Sequence, residues 1–550
     1  MTYKDLADLI FPNITKTVED YEKMYPERDL PEGAMVTRFA PSPTGFVHMG
    51  SLLASFISRK AAKDTKGVFY LRIEDTDQKR EVENGIEGIV SDLKNFQIDI
   101  DEGALSREES IGNYGPYIQS ERKEIYQAFI KHLIELGLAY PCFCTEEMLD
   151  ETRQMQEATK ARIGYYGRYA VCRNIKLEAA YNRIKNGDKY IIRLKSPGDF
   201  ERKVIVQDLV KGKIEFPEND LDIVIMKSDG LPTYHFAHLV DDHLMRTTHI
   251  TRGDEWVSSL PIHVQLFKVF GFNPPKYAHL SPIMKQEGDT KRKLSKRKDP
   301  EAAMSYYAEL GIPTEAVHLY LMTIANTNFE QWYDQNKDKS IDDFQFDFKK
   351  ISSSGALFDL EKLINISRNY ISYLKAETVY ERLLNWAEVY DKEFYELLNK
   401  YKEFTIGIFT IERYQKKPRK DFESWSTVKN NIWYMYDELF NNVAYDFQKI
   451  NNSEEIKNIL ELYINKYYNE LDDKDTWFNK IKELCDELGY ASNMKDYKEN
   501  PDNYKGNIAD VSTVIRVAIT SSSMTPDLYE LMKLLGTARI KQRISKFIEN

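Results

Sequence analysis

Residues 37–51, TRFAPSPTGFVHMGS, have the composition of a phosphate or nucleotide site. Two prolines stiffen a turn, and Gly45 permits an unusual backbone angle or a close approach. His48 and Gly50 stand where the following helix would begin, and a helix N-terminus presents N–H groups and a positive dipole end to anions. The imidazole can bond phosphate oxygens, and Gly50 leaves room for a flat ring or ribose. Taken alone, the segment is equally well explained as a turn that caps a core helix.

A second segment, KRKLSKRK at residues 291–298, holds six basic residues among eight. On its own, such a run is usually a solvated surface, a localisation signal or a nonspecific RNA contact. Here Leu294 and Ser295 interrupt the charges and leave Lys293 and Lys296 three residues apart. A loop with two lysines can close over a triphosphate and neutralise the pyrophosphate as it departs, which is electrostatic catalysis.

The elements around these segments alternate between strand and helix. MVTRFA and GVFYLRIED are short apolar runs typical of buried strands, and HMGSLLASFISRKAAK between them has apolar residues at helical spacing. This order predicts a parallel sheet that binds ligands at its strand ends. We expect residues 1–34 to form a leader helix and a loop, and the polar stretch 334–343 to be a linker or exposed insertion. From about residue 355, amphipathic patterns predict helices.

Composition restricts the class of protein. The chain has 550 residues, 42% hydrophobic and 30% charged, which indicates a soluble globular protein of two to four domains. It lacks both an apolar run of ~18 residues and a signal-peptide pattern, so we expect no membrane association and no secretion. Four cysteines suit a reducing cytoplasm. The net charge of −11 does not exclude a nucleic-acid partner, because phosphate affinity depends on local Lys and Arg placement.

The two segments resemble the HIGH and KMSKS motifs of class I aminoacyl-tRNA synthetases. Six ordered motifs together resemble the bacterial-type glutamyl-tRNA synthetase family: PSPTGFVHMGS, LRIEDTD, YIQSER, KSDGLPTYHFAHLVDDH, TRGDEW and KLSKR. The resemblance runs from about Thr37 into FDLEKL and TPDLYELMKLLG. It implies an α/β fold, with an N-terminal extension over 1–34 and a Rossmann-like parallel-sheet catalytic domain over 35–330. An acceptor-end insertion at about 110–215 and an all-α connection and anticodon-binding region over 331–550 complete the implied organisation.

The resemblance also implies a reaction. ATP and L-glutamate give glutamyl-adenylate, and the glutamyl group is transferred to the 3′-terminal ribose of tRNA(Glu), with Mg²⁺ held mainly by the phosphates and water. A nondiscriminating enzyme would also charge tRNA(Gln), and a noncatalytic tRNA-binding paralogue is a further alternative. The helical C-terminal part argues against truncated relatives, small-molecule nucleotidylyltransferases and glutaminyl enzymes, whose anticodon-binding part is built from β-strands. We expect a cytoplasmic monomer.

Glutamate carries two carboxylates and one ammonium group, so its pocket needs two cationic anchors and an acidic one. The family positions for this pocket are Arg38, Ala40, Ser42, Glu74, Tyr234, His238 and Arg252. Arg38 and Arg252 would bind carboxylates, since a guanidinium group binds a carboxylate through two parallel hydrogen bonds. Ser42 and Glu74 match the positions that receive the amino group, and Tyr234 matches a tyrosine that lines the pocket.

Two of these assignments have structural alternatives. Arg38 and Arg252 could simply pair with nearby carboxylates such as Asp75 or Asp254. His238 stands where relatives often carry asparagine; it can still donate a hydrogen bond, but its charge can titrate near neutral pH. A core histidine satisfied by backbone groups explains His238 equally well.

The family positions for ATP are Pro43, His48, Gly50, Glu255, Trp256, Lys293, Leu294, Ser295, Lys296 and Arg297. Among them, His48, Gly50, Lys293 and Lys296 are the predicted catalytic residues. Lys296 is expected to contact the departing phosphates in the transition state, and Lys293 to support it. No metal ligand is predicted among the site residues.

The cysteines raise a separate question. Cys142 and Cys144 form a CFC sequence, with Cys172 further along. Some relatives use a comparable cluster for zinc, but structural zinc sites usually separate paired cysteines by two to four residues. Tyr169 is the one candidate for a fourth ligand, so buried thiols are favoured over zinc, and the isolated Cys485 is expected in the core.

A second basic cluster, QKKPRK at residues 415–420, falls in the helical region. The candidate tRNA contacts there are Arg413, Lys416, Lys417 and Arg419. Tyr414 offers a ring that can stack on a base. A solvated loop is an equally good interpretation. If the cluster binds tRNA, affinity should fall as salt is added.

Overall fold

The computed structural model describes residues 1–45, 47–77, 81–295, 297–337, 339–441 and 443–549. The chain divides into two units. The first consists of Met1–Tyr306 with His318–Asp359, and the second of Tyr307–Val317 with Leu360–Asn550.

The strands of the described residues all lie in the first unit. They are β1 (Val36–Phe39), β2 (Val68–Leu71), β3 (Glu102–Ala104), β4 (Ser110–Ile111), β5 (Ala139–Cys142), β6 (Ile191–Leu194), β7 (Lys203–Asp208), β8 (Gly212–Pro217), β9 (Val224–Met226), β10 (His249–Gly253), β11 (Lys276–Leu280), β12 (Met284–Glu287) and β13 (Thr290–Lys293).

Helices come before, between and after these strands. Those that begin within the first unit are α1 (Tyr3–Ile10), α2 (Val18–Met24), α3 (Met49–Asp64), α4 (Gly85–Asn95), α5 (Lys123–Glu135), α6 (Glu146–Ala158), α7 (Leu177–Lys185), α8 (Tyr234–Leu244), α9 (Leu260–Phe270), α10 (Met304–Leu310) and α12 (Phe329–Gln335). The chain passes from the second unit back to the first within α11 (Thr314–Ala325).

Parallel strands form the centre of the first unit. β1, β2 and β3 pair in parallel, with β4 antiparallel at the edge, and β10, β11 and β7 pair in parallel, with β8 antiparallel. The two sheets adjoin where Thr248 N donates to Val36 O at 2.9 Å. All four residues of β1 are buried, and α3 connects β1 to β2 as the sequence predicted. The α/β parallel-sheet prediction is therefore confirmed.

A third sheet lies between these parallel segments in the sequence. β5 pairs antiparallel with β6, and β6 with β9. β5 and β6 belong to the predicted insertion, whereas β9 is the last strand before α8. The pairing of β6 with β9 therefore attaches the insertion to the segment that leads into α8. β12 and β13 form an antiparallel hairpin.

One expectation about local structure is corrected, and one of the two alternatives for a second expectation is excluded. Residues 1–34 contain two helices rather than one, because the Thr2–Asp5 and Thr17–Asp20 pairs each form a capping box that starts a helix. For the polar stretch 334–343, the linker alternative is excluded because these residues belong to the first unit. The alternative of an exposed insertion agrees with the structure, since its described residues are exposed or half-buried, with Asp342 paired to Lys63 at 2.6 Å.

Among the described residues, the second unit contains helices and no strand. This confirms the prediction of a helical C-terminal region. Its helices are α13 (Leu360–Tyr373), α14 (Ala376–Tyr390), α15 (Lys392–Lys400), α16 (Lys402–Thr410), α17 (Trp425–Ile432), α18 (Ser453–Leu462), α19 (Lys474–Leu488), α20 (Met494–Glu499), α21 (Ile508–Thr520), α22 (Leu528–Leu535) and α23 (Thr537–Glu549). Leu, Ile, Val and aromatic side chains from most of these helices share one buried core. Among the described residues, none of the helices combines the length and apolar character needed to cross a bilayer.

Candidate active site

The first motif forms the turn between β1 and α3. His48 is the N-cap residue of α3, and its Nδ1 accepts a hydrogen bond from Ser51 N at 3.1 Å. Gly45 has φ +143°, a backbone angle that other residues rarely adopt. A Cβ atom on Gly50 would lie 3.2 Å from the His48 ring, so a side chain there would press on the imidazole. The backbone angle therefore favours glycine at Gly45, whereas a side chain at Gly50, in the first turn of α3, would require the His48 ring to shift by a few tenths of an ångström.

A cavity of about 540 Å³ opens beside this turn. The predicted ATP residues that line it are His48, Gly50, Glu255, Trp256, Lys293, Leu294 and Ser295. Pro43 and Arg297 are not among its described lining residues, and Arg297 is exposed. Lys296, the predicted transition-state contact, lies outside the described residues. The structure thus brings residues from both basic and glycine-containing motifs to one cavity, although they are some 240 residues apart in the chain.

Asp299 anchors the KLSKR segment. This buried carboxylate accepts hydrogen bonds from Arg292 Nη1 and Nη2, at 2.6 and 2.7 Å, and from Ser295 N at 2.9 Å. The Arg292 hydrogen bonds hold the pKa of Asp299 well below its usual range. Lys293 Nζ, at the end of β13, lies 3.6 Å from Glu255. Sequence reasoning missed Asp299 because a single acid after a basic run looks like an ordinary surface residue.

A second cavity, of about 810 Å³, adjoins the first. The residues that line both are Arg38, Ala40, Ser42, Arg252 and Trp256. Glu74 and Tyr234 line the second cavity only. Six of the seven residues predicted to bind glutamate therefore surround one space, next to the space lined by the predicted ATP residues.

Glu74 supplies the acidic group of this second cavity. Its Oε1 accepts from Arg72 Nη2 at 3.0 Å, and its side chain is largely buried. Burial raises the pKa of Glu74, and the nearby Arg72 and Arg38 only partly offset that effect. An additional cation in the cavity would stabilise the ionised carboxylate.

Arg252 differs from the other buried arginines around the cavity in its partners. Its Nε donates to His279 Nε2 at 3.0 Å, and its Nη1 donates to Tyr234 Oη at 3.3 Å. Nη2 lies 3.3 Å from both Trp256 O and His263 Nδ1. Within the described part of the chain, no carboxylate lies within ion-pair distance of Arg252, although its side chain is only 6% exposed. A buried guanidinium group with neutral partners favours binding of an anion.

The structure tests the alternative of structural pairing. Arg38 Nε lies 3.3 Å from Asp242 Oδ1, so Arg38 is partly paired, but with a carboxylate that the sequence did not suggest. Asp75 instead accepts from Ser120, and Asp254 lies 3.4 Å from Lys211. Simple pairing with a neighbour in the sequence therefore explains neither arginine.

His238 does not line either cavity in the described structure. It is fully buried, with Nε2 3.1 Å from Tyr277 Oη and Nδ1 2.7 Å from Asp242 Oδ2. Burial lowers its pKa to about 3, so the ring is neutral at physiological pH. The core interpretation is the better one here, with side chains rather than backbone groups as partners.

The cavity also contains residues that sequence reasoning did not single out. Lys227 Nζ donates to Thr76 O at 2.6 Å and lies 3.1 Å from Asp229, and all three residues line the second cavity. The only sequence signal for Lys227 and Asp229 is their place at the start of the KSDG motif, where nothing in their spacing indicates a particular chemistry.

The cysteine cluster forms in space. Cys144 Sγ lies 3.7 Å from Cys172 Sγ, and the Tyr165 hydroxyl lies 3.4 Å from Cys142 Sγ and 3.3 Å from Cys144 Sγ. Tyr165 therefore takes the place that we predicted for Tyr169, whose hydroxyl instead accepts from Arg168. The cluster thus consists of Cys142, Cys144, Cys172 and Tyr165, and its three sulfur atoms lie within 4.8 Å of one another.

These spacings fit a metal ion. A tetrahedral zinc ion with Zn–S bonds of about 2.3 Å places its sulfur ligands about 3.8 Å apart, close to the Cys144–Cys172 separation. Hydrogen bonds among the thiols lower the pKa of Cys142 and raise the pKa of Cys144, so Cys142 is the thiol that these contacts favour as the thiolate. The candidate fourth group, Tyr165, comes from the segment between Cys144 and Cys172, and the choice between buried thiols and zinc stays a prediction. Cys485, by contrast, is buried in the core of the second unit as expected.

The second basic cluster separates into structural and exposed residues. Arg413 is buried, and its guanidinium donates to the backbone carbonyls of Phe409, Ile371 and Leu374, so it is not available to RNA. That prediction for Arg413 is corrected.

The neighbouring cations lie closer to solvent. Arg419 donates to Asp421, while Lys416 and Lys417 are exposed. Tyr414 is 64% exposed, and its hydroxyl accepts from Ala376 N at 3.1 Å. Lys416 and Lys417 are therefore the remaining exposed basic candidates of the predicted set.

Comparison with known protein families agrees with this geometry. Residues 34–364 match the model of the catalytic domain of class I tRNA synthetases (E and Q), and residues 379–548 match the model of an anticodon-binding domain. The chain therefore belongs to the class I tRNA synthetases of the E and Q type.

Three individual proteins that are similar to this chain are all glutamate–tRNA ligases. The chain is 50% identical over its full length, and that of the relative, to a glutamate–tRNA ligase from Clostridium perfringens strain SM101. It is 49% identical, again over both full lengths, to the same enzyme from Clostridium beijerinckii. A glutamate tRNA ligase from Elizabethkingia meningosepticum, solved in complex with its amino acid, has a TM-score of 0.76 at 26% identity and covers 94% of this chain and 99% of its own.

Proposed function

We propose that this protein is a glutamate–tRNA ligase that activates L-glutamate with ATP and transfers the glutamyl group to tRNA(Glu). The observation that carries the proposal is the set of charges around the second cavity. Lys227 and Asp229, which also line this cavity, pair with each other at 3.1 Å, and Asp77 is exposed. Among the remaining charged residues, Arg38 and Arg252 offer two cations and Glu74 offers one largely buried carboxylate. Two cations and one anion match the two carboxylates and the ammonium group of glutamate.

The arrangement of the cavities supports the first half-reaction. Arg38, Ala40, Ser42, Arg252 and Trp256 line both cavities, so an amino acid in one would lie next to a nucleotide in the other. Proximity of this kind supplies much of the catalysis in a reaction that needs no side-chain nucleophile. His48 at the start of α3 and Lys293 would stabilise phosphate charge. Mg²⁺ would be held mainly by the phosphates and water.

Transfer to tRNA is assigned to the remaining parts of the chain. We propose that the segment at about 110–215 handles the acceptor end, with residues 1–34 as an extension. Residues 331–550 would supply a connection, which belongs to the first unit as far as Asp359, and then the helical anticodon-binding region. Lys416 and Lys417 are the exposed cations offered for phosphate contacts. The enzyme would act in the cytoplasm as a monomer, with tRNA(Glu) and, in a nondiscriminating enzyme, tRNA(Gln) as its RNA partners.

We further propose that the cysteine cluster holds one zinc ion. Three thiols and the Tyr165 hydroxyl are the donors. A closed four-ligand site of this kind stabilises structure and takes no part in the chemistry. The cluster joins β5 to the loop after α6, so zinc would brace the segment assigned to the acceptor end.

Aminoacylation with labelled glutamate tests the proposal. Purified tRNA(Glu) and tRNA(Gln) are supplied separately, with and without ATP. Charging of tRNA(Glu) alone indicates a discriminating enzyme, and charging of both indicates a nondiscriminating one. Absence of charging with either tRNA would contradict the proposal and favour a noncatalytic tRNA-binding paralogue.

A further inference from the structure

Behind the second cavity, histidines rather than acids contact Arg252. We infer that His279, oriented by Asp208, and His263 are positioning residues that hold the Arg252 guanidinium for a carboxylate of the substrate. The inference rests on the proposed function, since it concerns how that site selects an acidic amino acid.

Strand register brings the first pair together. In the parallel pairing of β10 with β11, Arg252 lies directly opposite His279. Arg252 Nε then donates to His279 Nε2 at 3.0 Å, which requires an unprotonated Nε2. The other ring nitrogen, Nδ1, lies 2.6 Å from Asp208 Oδ2, so the ring proton is on Nδ1 and bonds to the carboxylate. Asp208 therefore selects the tautomer of His279 that can accept from Arg252.

Asp208 is itself held in one orientation. Its Oδ1 accepts from the backbone amides of Val210 and Lys211 at 2.9 and 2.8 Å, which leaves Oδ2 for His279. Burial alone would raise the pKa of Asp208, but the hydrogen bonds from His279 and these amides lower it overall. The carboxylate is therefore ionised, yet it is separated from Arg252 by a complete imidazole ring.

His263 plays the corresponding part on the other side of the guanidinium. Arg252 can only donate, so Nδ1 of His263, 3.3 Å from Nη2, must accept. The proton of His263 is then on Nε2, which lies 2.9 Å from His235 Nδ1 and donates to it. Burial lowers the pKa of His263 well below its ordinary value, and burial also lowers the pKa of His279 despite the opposing effect of Asp208.

The neutral histidine partners allow Arg252 to be held in place without neutralising its charge. A carboxylate in direct contact would orient Arg252 equally well, but it would also compete with the substrate for the guanidinium charge. Two neutral imidazoles fix the group through hydrogen bonds and leave its charge uncompensated at close range. One N–H of Nη1 has no partner among the described residues, and Arg252 lines the substrate cavity. The site thereby favours an acid over an amide of the same shape.

Asp208→Asn tests this inference with a minimal change. The amides of Val210 and Lys211 require an acceptor at Oδ1, so the new side-chain NH₂ group takes the place of Oδ2. There it faces both the His279 ring and the His279 backbone amide, which donates to Oδ2 at 3.2 Å in the wild type. That donor forces the His279 proton onto Nε2, where it opposes the Arg252 Nε–H. We expect the KM for glutamate to rise about 10- to 100-fold in aminoacylation assays, with the KM for ATP within twofold of wild type. Asp220→Asn, which alters a carboxylate paired with Arg162 outside both cavities, should change neither.

A second measurement does not depend on the stability of that variant. His279→Gln places an amide oxygen where it can accept from Arg252, so it should retain a far lower KM for glutamate than His279→Leu. In the wild-type full chain labelled with ¹⁵N-histidine, NMR should show His279 as the Nδ1–H tautomer.

Two results would overturn the inference while the proposed function stands. One is wild-type charging of tRNA(Glu) with an unchanged KM for glutamate in folded Asp208→Asn. The other is an Nε2–H or doubly protonated His279 in the wild-type enzyme. If the wild-type enzyme does not charge tRNA with glutamate at all, the proposed function fails first, and this inference fails with it.

Discussion

Replacement of Arg252 by glutamine should greatly lower kcat/KM for glutamate while it changes the free energy of unfolding only slightly. The partners of Arg252 are neutral, so its loss leaves no carboxylate unpaired within the described structure. The cost in stability is limited to the acceptors that lose a donor, which include the buried ring nitrogens His279 Nε2 and His263 Nδ1. We expect Arg252→Gln to change the free energy of unfolding by less than about 1 kcal/mol, because removal of an uncompensated buried charge offsets the lost hydrogen bonds.

Arg72→Gln is the matched comparison. Arg72 is fully buried and contacts Asp242 at 2.9 Å and Glu74 at 3.0 Å, so its removal leaves two buried carboxylates without their main partner. Breaking a buried pair in this way typically lowers the free energy of unfolding by about 3–5 kcal/mol. The same arginine-to-glutamine change should therefore have very different effects on stability at two positions of one site.

The effect of Arg252→Gln on catalysis follows from its available donors. Nη1 has one uncommitted N–H and a second held only by a long bond to Tyr234, 3.3 Å. Two charge-assisted hydrogen bonds to a substrate carboxylate, at about 1.5–3 kcal/mol each, sum to about 3–6 kcal/mol. This corresponds to a loss of about 10² to 10⁴ in kcat/KM for glutamate.

The two properties are measured on the same preparations. Aminoacylation of tRNA(Glu) gives kcat/KM for glutamate, and urea unfolding gives the shift in midpoint relative to wild type. A large loss of stability in Arg252→Gln, comparable with that of Arg72→Gln, would refute the claim that Arg252 has only neutral partners. Retention of near wild-type kcat/KM would refute its role as a carboxylate anchor.

Four further predictions concern other groups of the chain. Because the pKa of Glu74 is raised by burial, its binding to the substrate ammonium should weaken as pH falls, starting above pH 4.5, and Glu74→Gln should remove this pH dependence of the KM for glutamate. Lys296→Ala should lower the activation rate in single turnovers far more than it weakens glutamate binding. Combined Lys416→Gln and Lys417→Gln should reduce the slope of log kcat/KM for tRNA against log salt by about 1–2. Metal analysis should find one zinc per chain, and Cys144→Ser should abolish it.

Controls make these outcomes decisive. Arg413→Gln should destabilise the second unit through its lost carbonyl contacts but leave the salt slope unchanged. If the slope of log kcat/KM for tRNA against log salt is unchanged in the double lysine variant, residues 415–420 are better explained as a solvated loop. Cys485→Ser should retain zinc, whereas a wild-type chain purified without zinc under metal-replete conditions would favour buried thiols. A pH profile of Glu74→Gln identical to wild type would exclude Glu74 as the ammonium partner.

The sequence was sufficient to predict the elements that bear the motifs. The alternation of buried strand, turn and amphipathic helix around His48 depends on local periodicity, and the structure reproduces it in β1, α3 and β2. The helical C-terminal region was predictable for the same reason. Residues that owe their place to short-range patterns, such as Gly45 with its positive φ, were equally accessible from the sequence.

Contacts between distant segments could not be predicted in this way. The partner of Arg38 is Asp242, some two hundred residues later, and no pattern near Arg38 distinguishes that carboxylate from Asp75. Arg413 looked like a surface cation because its neighbours are basic, yet it donates to carbonyl groups at the C-terminal ends of α13 and α16. Tyr165 and Tyr169 are alike in the sequence, and only the path of the loop brings one to the cysteines.

The contacts that position Arg252 depend on strand register, so they could not be predicted from the sequence although the fold defines them. Arg252, His279 and Asp208 lie on β10, β11 and β7, three parallel strands whose order in the sheet does not follow the chain. A shift of one residue between β10 and β11 would turn His279 to the opposite face and leave Arg252 without its main acceptor. The charge of Arg252 is thus kept available by contacts between strands of the sheet. On the inference above, selectivity for an acid is a property of the folded core, which substitution of Asp208 should weaken even though Asp208 lines neither cavity.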